Sequence, residues 1–158
     1  MKIIVGVADM GFSTEWDDVI ITYSLGSCIG LTLFDSEKHI GGLVHCMLPL
    51  SKIDAAKAAA NPFMFIDSGV TAFLQALFDL GAQRKSLVAK VAGGAQIMDD
   101  KGLFNIGERN NTVVRKMLWK NNILVSGEDV GGSIPRTMSL DLATGRTLLK
   151  SGGTEKEL

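Results

Sequence analysis

Two apolar runs, IGLTLFD (Ile29 to Asp35) and IGGLVHCML (Ile40 to Leu48), are separated only by the polar tetrapeptide SEKH. That spacing predicts a β-hairpin, and a hairpin fixes which side chains meet. Extended back to Ser24 and on to Pro49, the stretch holds both cysteines (Cys28, Cys46) and both histidines (His39, His45) of the chain. The register of one strand pair therefore decides which thiol and imidazole can act together.

A turn centred on Ser36 to His39 puts Asp35 opposite Ile40 and Cys28 opposite Met47. Side chains alternate with period two, so Leu43, His45 and Met47 share the side of Cys28, and Cys46 faces away. His45 becomes the diagonal neighbour of Cys28, at ~7–8 Å between backbone positions. His39 lies in the turn, about 30 Å off at ~3.3 Å per residue. A slip of one residue would put Cys46 opposite Cys28 instead.

The rest of the chain alternates in type. Residues 2–8 and 18–25 read as strands. An Ala-rich stretch at 51–61 predicts a short helix in a surface loop, and residues 51–66 are expected to border a cleft. Asp67 to Leu80 carries one apolar stripe (Val70, Phe73, Leu74, Leu77, Phe78), with Asp67 or Ser68 as cap and Gly81 as stop. A strand near 87–92 runs into Gly93-Gly94. A second helix spans about Glu108 to Asn121, with Val113, Val114, Met117 and Leu118 inward; 102–110 reads as its entry. A strand at 123–126 and a hairpin of TMSLDL and RTLLK complete the pattern. Two helices cannot cover both faces of such a sheet. The expectation is an α+β layered sandwich of mixed or antiparallel sheet, with the two main helices on one face.

At 158 residues, the chain is expected to form one domain over 1–150, with 151–158 as a flexible tail. Sixteen basic against 17 acidic residues give a net charge of −1, which offers no electrostatic case for nucleic acid or an anionic membrane. No run approaches ~20 apolar residues, and MKIIVGVADMG lacks the pattern of a secretory signal. Two cysteines make no disulfide framework, so the reading is cytoplasmic with reduced thiols.

The chemistry concentrates at Cys28. It follows Leu25-Gly26-Ser27, a turn that lets a substrate approach closely. A neighbouring imidazolium would lower the thiol pKa and supply a thiolate. Backbone N–H groups at Ser27 and Cys28 could hold an oxyanion, with Gly26 supporting the turn. Thr22, six residues earlier on the preceding strand, is a candidate to orient the imidazole. The bland reading stands beside this one: buried cysteines are usually inert, which suits Cys46 well, and a histidine on an apolar strand is often a satisfied core residue. Zinc is rejected, because His45 and Cys46 face opposite ways and His39 is remote. Gly93-Gly94 opens no dinucleotide or Walker-type phosphate loop, and no cofactor is expected.

LGSC at 25–28, HCMLP at 45–49, AKVAGGAQI at 89–97, NIGERN at 105–110 and EDVGG at 128–132 occur in that order. Together they resemble the chemoreceptor glutamine deamidase family, CheD, from about residue 3 to 150. The resemblance implies a Cys–His–Thr triad at Cys28, His45 and Thr22, and a sandwich related to toxin deamidases such as cytotoxic necrotizing factor. It implies hydrolysis of receptor glutamine amides to glutamate with release of ammonia. Some members also hydrolyse glutamyl methyl esters. In several bacteria a CheC-type phosphatase of phosphorylated CheY is the partner. The family's Gly-Gly-x-x-x-Arg stretch is matched by Gly131, Gly132 and Arg136, with a less typical Pro135; no binding role is carried over to it. The rival readings are another Cys amidohydrolase or protease, or chiefly a regulator of a CheC-type phosphatase.

Overall fold

A computed structural model describes residues 1–97 and 105–158. Residues 102–104 of the expected helix entry lie outside the described residues.

The strands sort into two five-stranded sheets. The first takes β1 (Lys2–Ile4), β3 (Val19–Leu25), β8 (Arg136–Asp141), β9 (Arg146–Ser151) and β10 (Thr154–Glu157), adjacent in that order. The second runs β2 (Asp9–Ser13), β5 (Ile40–Cys46), β4 (Ile29–Asp35), β6 (Leu87–Gly93) and β7 (Val125–Val130). Neighbours pair antiparallel except β1 with β3 and β6 with β7, which are parallel. The helices are α1 (Ala55–Ala60), α2 (Ile66–Asp79) and α3 (Ile106–Lys120). Among the described residues, no helix is long and apolar enough to cross a membrane.

Every residue of β4 and β5 is buried. That explains why both read as nearly unbroken apolar runs: each of their faces is covered by a different layer. On one face Ile29, Leu31, Leu33, Val44 and Cys46 pack against Val70, Phe73, Leu74 and Leu77 of α2 and Val114 and Leu118 of α3. On the other, Phe34 and Leu43 meet Ile20, Leu25, Met138, Leu140 and Leu149 of the first sheet. Two threonines bridge the sheets, Thr32 and Thr147, with hydroxyls 2.6 Å apart. The α+β sandwich with its helices on one side is therefore as the sequence predicts, as three layers of helices, sheet and sheet.

Several local expectations are corrected. The strand expected over 2–8 ends at Ile4; Ala8 takes a left-handed backbone (φ 57°), and the chain crosses into the other sheet as β2. DMGFS lacks the β-branched signature of a strand, so β2 is recruited by pairing with β5 rather than by propensity. The tail expected to fray forms β10, paired with β9 over Thr154–Glu157, and Leu158 packs on the inter-sheet core. Neither Asp67 nor Ser68 caps α2: the cap residue is Phe65, and Asp67 instead accepts from the amide and hydroxyl of Ser51, tying the 51–53 turn to the helix. Gly81 does follow the end of α2, at φ 108°.

Candidate active site

The hairpin adopts the predicted register: Asp35 pairs with Ile40, Gly30 with His45 and Ile29 with Cys46. Cys28 precedes β4 by one residue, so it shares the side of Gly30 and His45 and packs on the inter-sheet cluster. Cys46 lies on the helix side and is 1% exposed. Burial pushes its thiol far up, which makes it an inert core residue. His39 sits in the far turn, stacked on Trp16 at 4.0 Å between ring centroids.

Thr22 arrives from the other sheet. It is fully buried, and its Oγ1 lies 2.7 Å from His45 Nδ1. The same hydroxyl donates to the Val5 carbonyl, also at 2.7 Å. A carbonyl only accepts, so the single hydroxyl proton is committed to Val5 and Thr22 must accept from the ring. The proton of neutral His45 is thereby fixed on Nδ1, leaving a bare lone pair on Nε2. That nitrogen is buried and has no hydrogen-bond partner among the described residues. Thr22 and His45 are thus in direct contact, whereas Cys28 shares the ring's face without a hydrogen bond to it.

The electrostatics differ from the sequence expectation. Burial pushes the Cys28 thiol up, partly offset by its own backbone N–H. Burial pushes His45 down to about 4. Both groups are neutral near pH 7, so a standing imidazolium–thiolate pair is disfavoured and His45 is set up as a base.

The turn that carries Cys28 is held by three acceptor contacts. The amide of Ala95 donates to Gly26 O at 2.9 Å and that of Gly94 to Cys28 O at 2.8 Å. Asn110 Nδ2 donates to Ser27 O at 2.8 Å and, with its second hydrogen, to Met47 O at 2.9 Å. Gly93 makes the close approach possible: at φ 108°, an added Cβ would stand 2.1 Å from Cys28 O. Gly107 does the same for α3, since its Cβ would lie 2.5 Å from the carbonyls of Gly94 and Ala95. One turn further along α3, Asn110 reaches the Cys28 turn.

Asn110 was not singled out from the sequence. Its only signal is a polar residue on the inward face of an amphipathic helix, beside Val113 and Val114. The Gly-Gly-x-x-x-Arg stretch also gains an explanation. Arg136 is buried, pairs with Asp129 at 2.8 Å, and donates to the carbonyls of Gly93 and Gly131, clasping two glycine turns together. A groove of about 360 Å³ opens between Pro49–Leu50, just beyond the His45 strand, and the Glu108–Val113 side of α3. Its lining includes neither Cys28 nor His45, and it adjoins the start of the 51–66 loop rather than its length.

The family described as CheD chemotactic sensory transduction matches residues 47–151. A protein of Syntrophus aciditrophicus named probable chemoreceptor glutamine deamidase CheD 1 is 46% identical over 157 residues, covering 99% of this chain and 98% of its own. A relative in Solibacter usitatus, named probable chemoreceptor glutamine deamidase CheD, is 46% identical over 99% of this chain and 93% of its own. One with the same name in Haloarcula marismortui is 37% identical over 98% of this chain and 87% of its own. The three relatives align over nearly the whole chain, whereas the family match begins just after the hairpin, at residue 47. The chain belongs to the CheD family.

Proposed function

We propose that this protein hydrolyses the side-chain amide of glutamines on chemoreceptor cytoplasmic helices, giving glutamate and ammonia, with Cys28 as nucleophile. The observation that carries the reading is Thr22 Oγ1 placed 2.7 Å from both His45 Nδ1 and the Val5 carbonyl, from which the tautomer of His45 follows. Thr22, held by the Val5 carbonyl, keeps the ring proton on Nδ1 and leaves Nε2 as a base on the Cys28 side of the hairpin.

Because thiol and imidazole both start neutral, proton transfer accompanies attack. Cys28 Sγ bonds to the amide carbon as its proton passes to His45 Nε2, and the carbonyl oxygen takes up negative charge beside the Ser27 and Cys28 N–H groups. The tetrahedral intermediate collapses, the proton on Nε2 goes to the departing nitrogen, and ammonia leaves a thioester. Nε2 then takes a proton from water, whose oxygen attacks the thioester; that proton returns to sulfur as the C–S bond breaks, and the released carboxylic acid gives its own proton to solvent to become the glutamate carboxylate. Each turnover converts a neutral amide into an anion on a packed receptor helix, which biases a two-state receptor through repulsion.

The reading places the protein in the cytoplasm, where such helices are reached. A CheC-type phosphatase is the protein partner it includes, tested by capture with wild-type and Cys28→Ala protein, since binding should survive loss of the thiol. The test of the reaction is incubation with purified receptor cytoplasmic domains followed by peptide mass analysis and ammonia measurement. Amide-to-carboxylate conversion that vanishes in Cys28→Ala supports the reading. Chain cleavage, or unchanged conversion by that variant, defeats it.

A further inference from the structure

We infer that Asn110 is a positioning residue that sets the direction of the Cys28 backbone N–H and locks the nucleophile turn to the strand of the catalytic imidazole. The inference rests on the proposed reaction and names a component of it that lies on a helix, far in sequence from the triad candidates.

A trans peptide unit is planar, with its C=O and N–H pointing in opposite directions. The Ser27 carbonyl and the Cys28 N–H belong to one such unit. Asn110 Nδ2 holds that carbonyl at 2.8 Å, so the Cys28 N–H is turned away from α3. Burial raises the Cys28 thiol, and this same N–H works against that rise. An N–H beside the sulfur is where the oxyanion forms when that sulfur attacks a carboxamide.

The second hydrogen of Nδ2 holds Met47 O at 2.9 Å. Met47 follows the end of β5 and lies two residues beyond His45. One amide group therefore ties the Cys28 turn to the chain segment that carries the base. The amide orientation follows from chemistry, because the reversed side chain would set Oδ1 against two carbonyl oxygens. Asn110 is fully buried, and its Oδ1 has no hydrogen-bond partner among the described residues. A leucine at this inward position could fill the space but would take away the donor to the Ser27 and Met47 carbonyls, so apolar packing does not account for the asparagine.

The neighbouring turn is held in the same sense. Ala95 and Gly94 amides take the Gly26 and Cys28 carbonyls, which orients the peptide planes on either side. Those contacts come from backbone amides, which truncating a side chain does not remove. The plane that contains the Cys28 N–H is assigned to a side chain, and so truncating that side chain releases it.

The test uses the full chain with Asn110→Ala and Asn110→Ser, folding being read by circular dichroism and activity expressed per folded molecule. On receptor cytoplasmic domains, Asn110→Ala should lower kcat by roughly 100-fold with little change in KM, as loss of one oriented oxyanion donor does. Asn110→Ser, which keeps one donor, should lose less. Alkylation of Cys28 by iodoacetamide at pH 8 should be slower in Asn110→Ala than in wild type, because the N–H no longer supports the thiolate. This arm needs no receptor, so a wild-type protein without deamidase activity and an inert Asn110 are separate outcomes. Folded variants with kcat within about threefold of wild type and unchanged alkylation would overturn the inference. Failure of both variants to fold would also overturn it, by assigning Asn110 to the scaffold alone.

Discussion

His45 can serve as a base only as a neutral ring with its proton on Nδ1; burial provides the first condition and the Thr22 hydroxyl the second. Replacing Thr22 by Val keeps the shape but removes the acceptor for Nδ1–H and the donor to Val5. The ring then loses its preferred tautomer, and kcat should fall by roughly 10–100-fold, less than in Cys28→Ala or His45→Ala. A steady-state comparison of the three variants checks this; equal losses would mean that Thr22 does more than orient the ring. A second prediction concerns pH. Burial holds His45 at about 4, so the base stays unprotonated well below the usual histidine range. The acid limb of kcat/KM in the free enzyme should lie nearer pH 4 than 6.5, which a pH–rate profile on a soluble receptor fragment measures. Cys46, in contrast, should tolerate replacement by Ala with its activity retained, since its sulfur faces α2 and not the imidazole. From the sequence, the pairing of Cys28 with His45 followed from period-two geometry alone. The protonation states did not, because they depend on how deeply other layers bury the pair.

The end of β6 and the start of α3 converge on the Cys28 turn, and glycine stands where β6 meets that turn and where α3 meets the Gly94–Ala95 carbonyls. The end of β6 passes so close that a Cβ on Gly93 would overlap Cys28 O, and its φ of 108° disfavours any other residue. Gly93→Ala should therefore destabilise the protein by about 3 kcal/mol and lower activity in whatever folds, because relief requires moving the Cys28 turn or β6. Chemical denaturation alongside the ammonia assay would show it; an alanine variant of wild-type stability would contradict the close contact. The glycines of GGA and NIGERN were visible in the sequence as turn or entry signals, but their contact partners were not. Gly93 and Gly107 are constrained by carbonyls 65 and 12–13 positions away along the chain, and no local window contains both sides of such a contact. Helices α2 and α3 were legible because a 3.6-residue apolar stripe is local information. Strand β2 was not, since its sequence is indifferent and its partner β5 supplies the reason for its conformation.

At the scale of the whole molecule, the layered burial that neutralises His45 also makes stability depend on pH. The unfolded chain protonates this histidine near 6.5 and the native one only near 4. Between those values the unfolded state binds the extra proton, so stability falls as pH falls through that window and is regained as pH rises. The full contribution is on the order of 3 kcal/mol. Urea titrations from pH 7 to 4 should show this loss, with a shallower slope in His45→Gln. The C-terminal strand makes a separate prediction. Lys156 pairs with Asp129 at 2.6 Å, Lys90 donates to Leu158 O, and Leu158 covers the inter-sheet core. Deleting 154–158 should cost about 1–3 kcal/mol, seen as a lower Tm, whereas a frayed tail would cost nothing. The order of apolar periods along the chain determined the class of fold, the two long helices, the hairpin register and hence the choice of Cys28 with His45. Those are properties of alternation and spacing, which a linear sequence records directly. The tertiary structure alone decided that β1 and β2 lie in different sheets, that the last residues pair, that Thr22, a candidate from the sequence, comes to His45 from the opposing layer, and that Asn110 grips the Cys28 turn. Each depends on contacts between segments distant in the chain, where packing between layers overrides what any short stretch prefers.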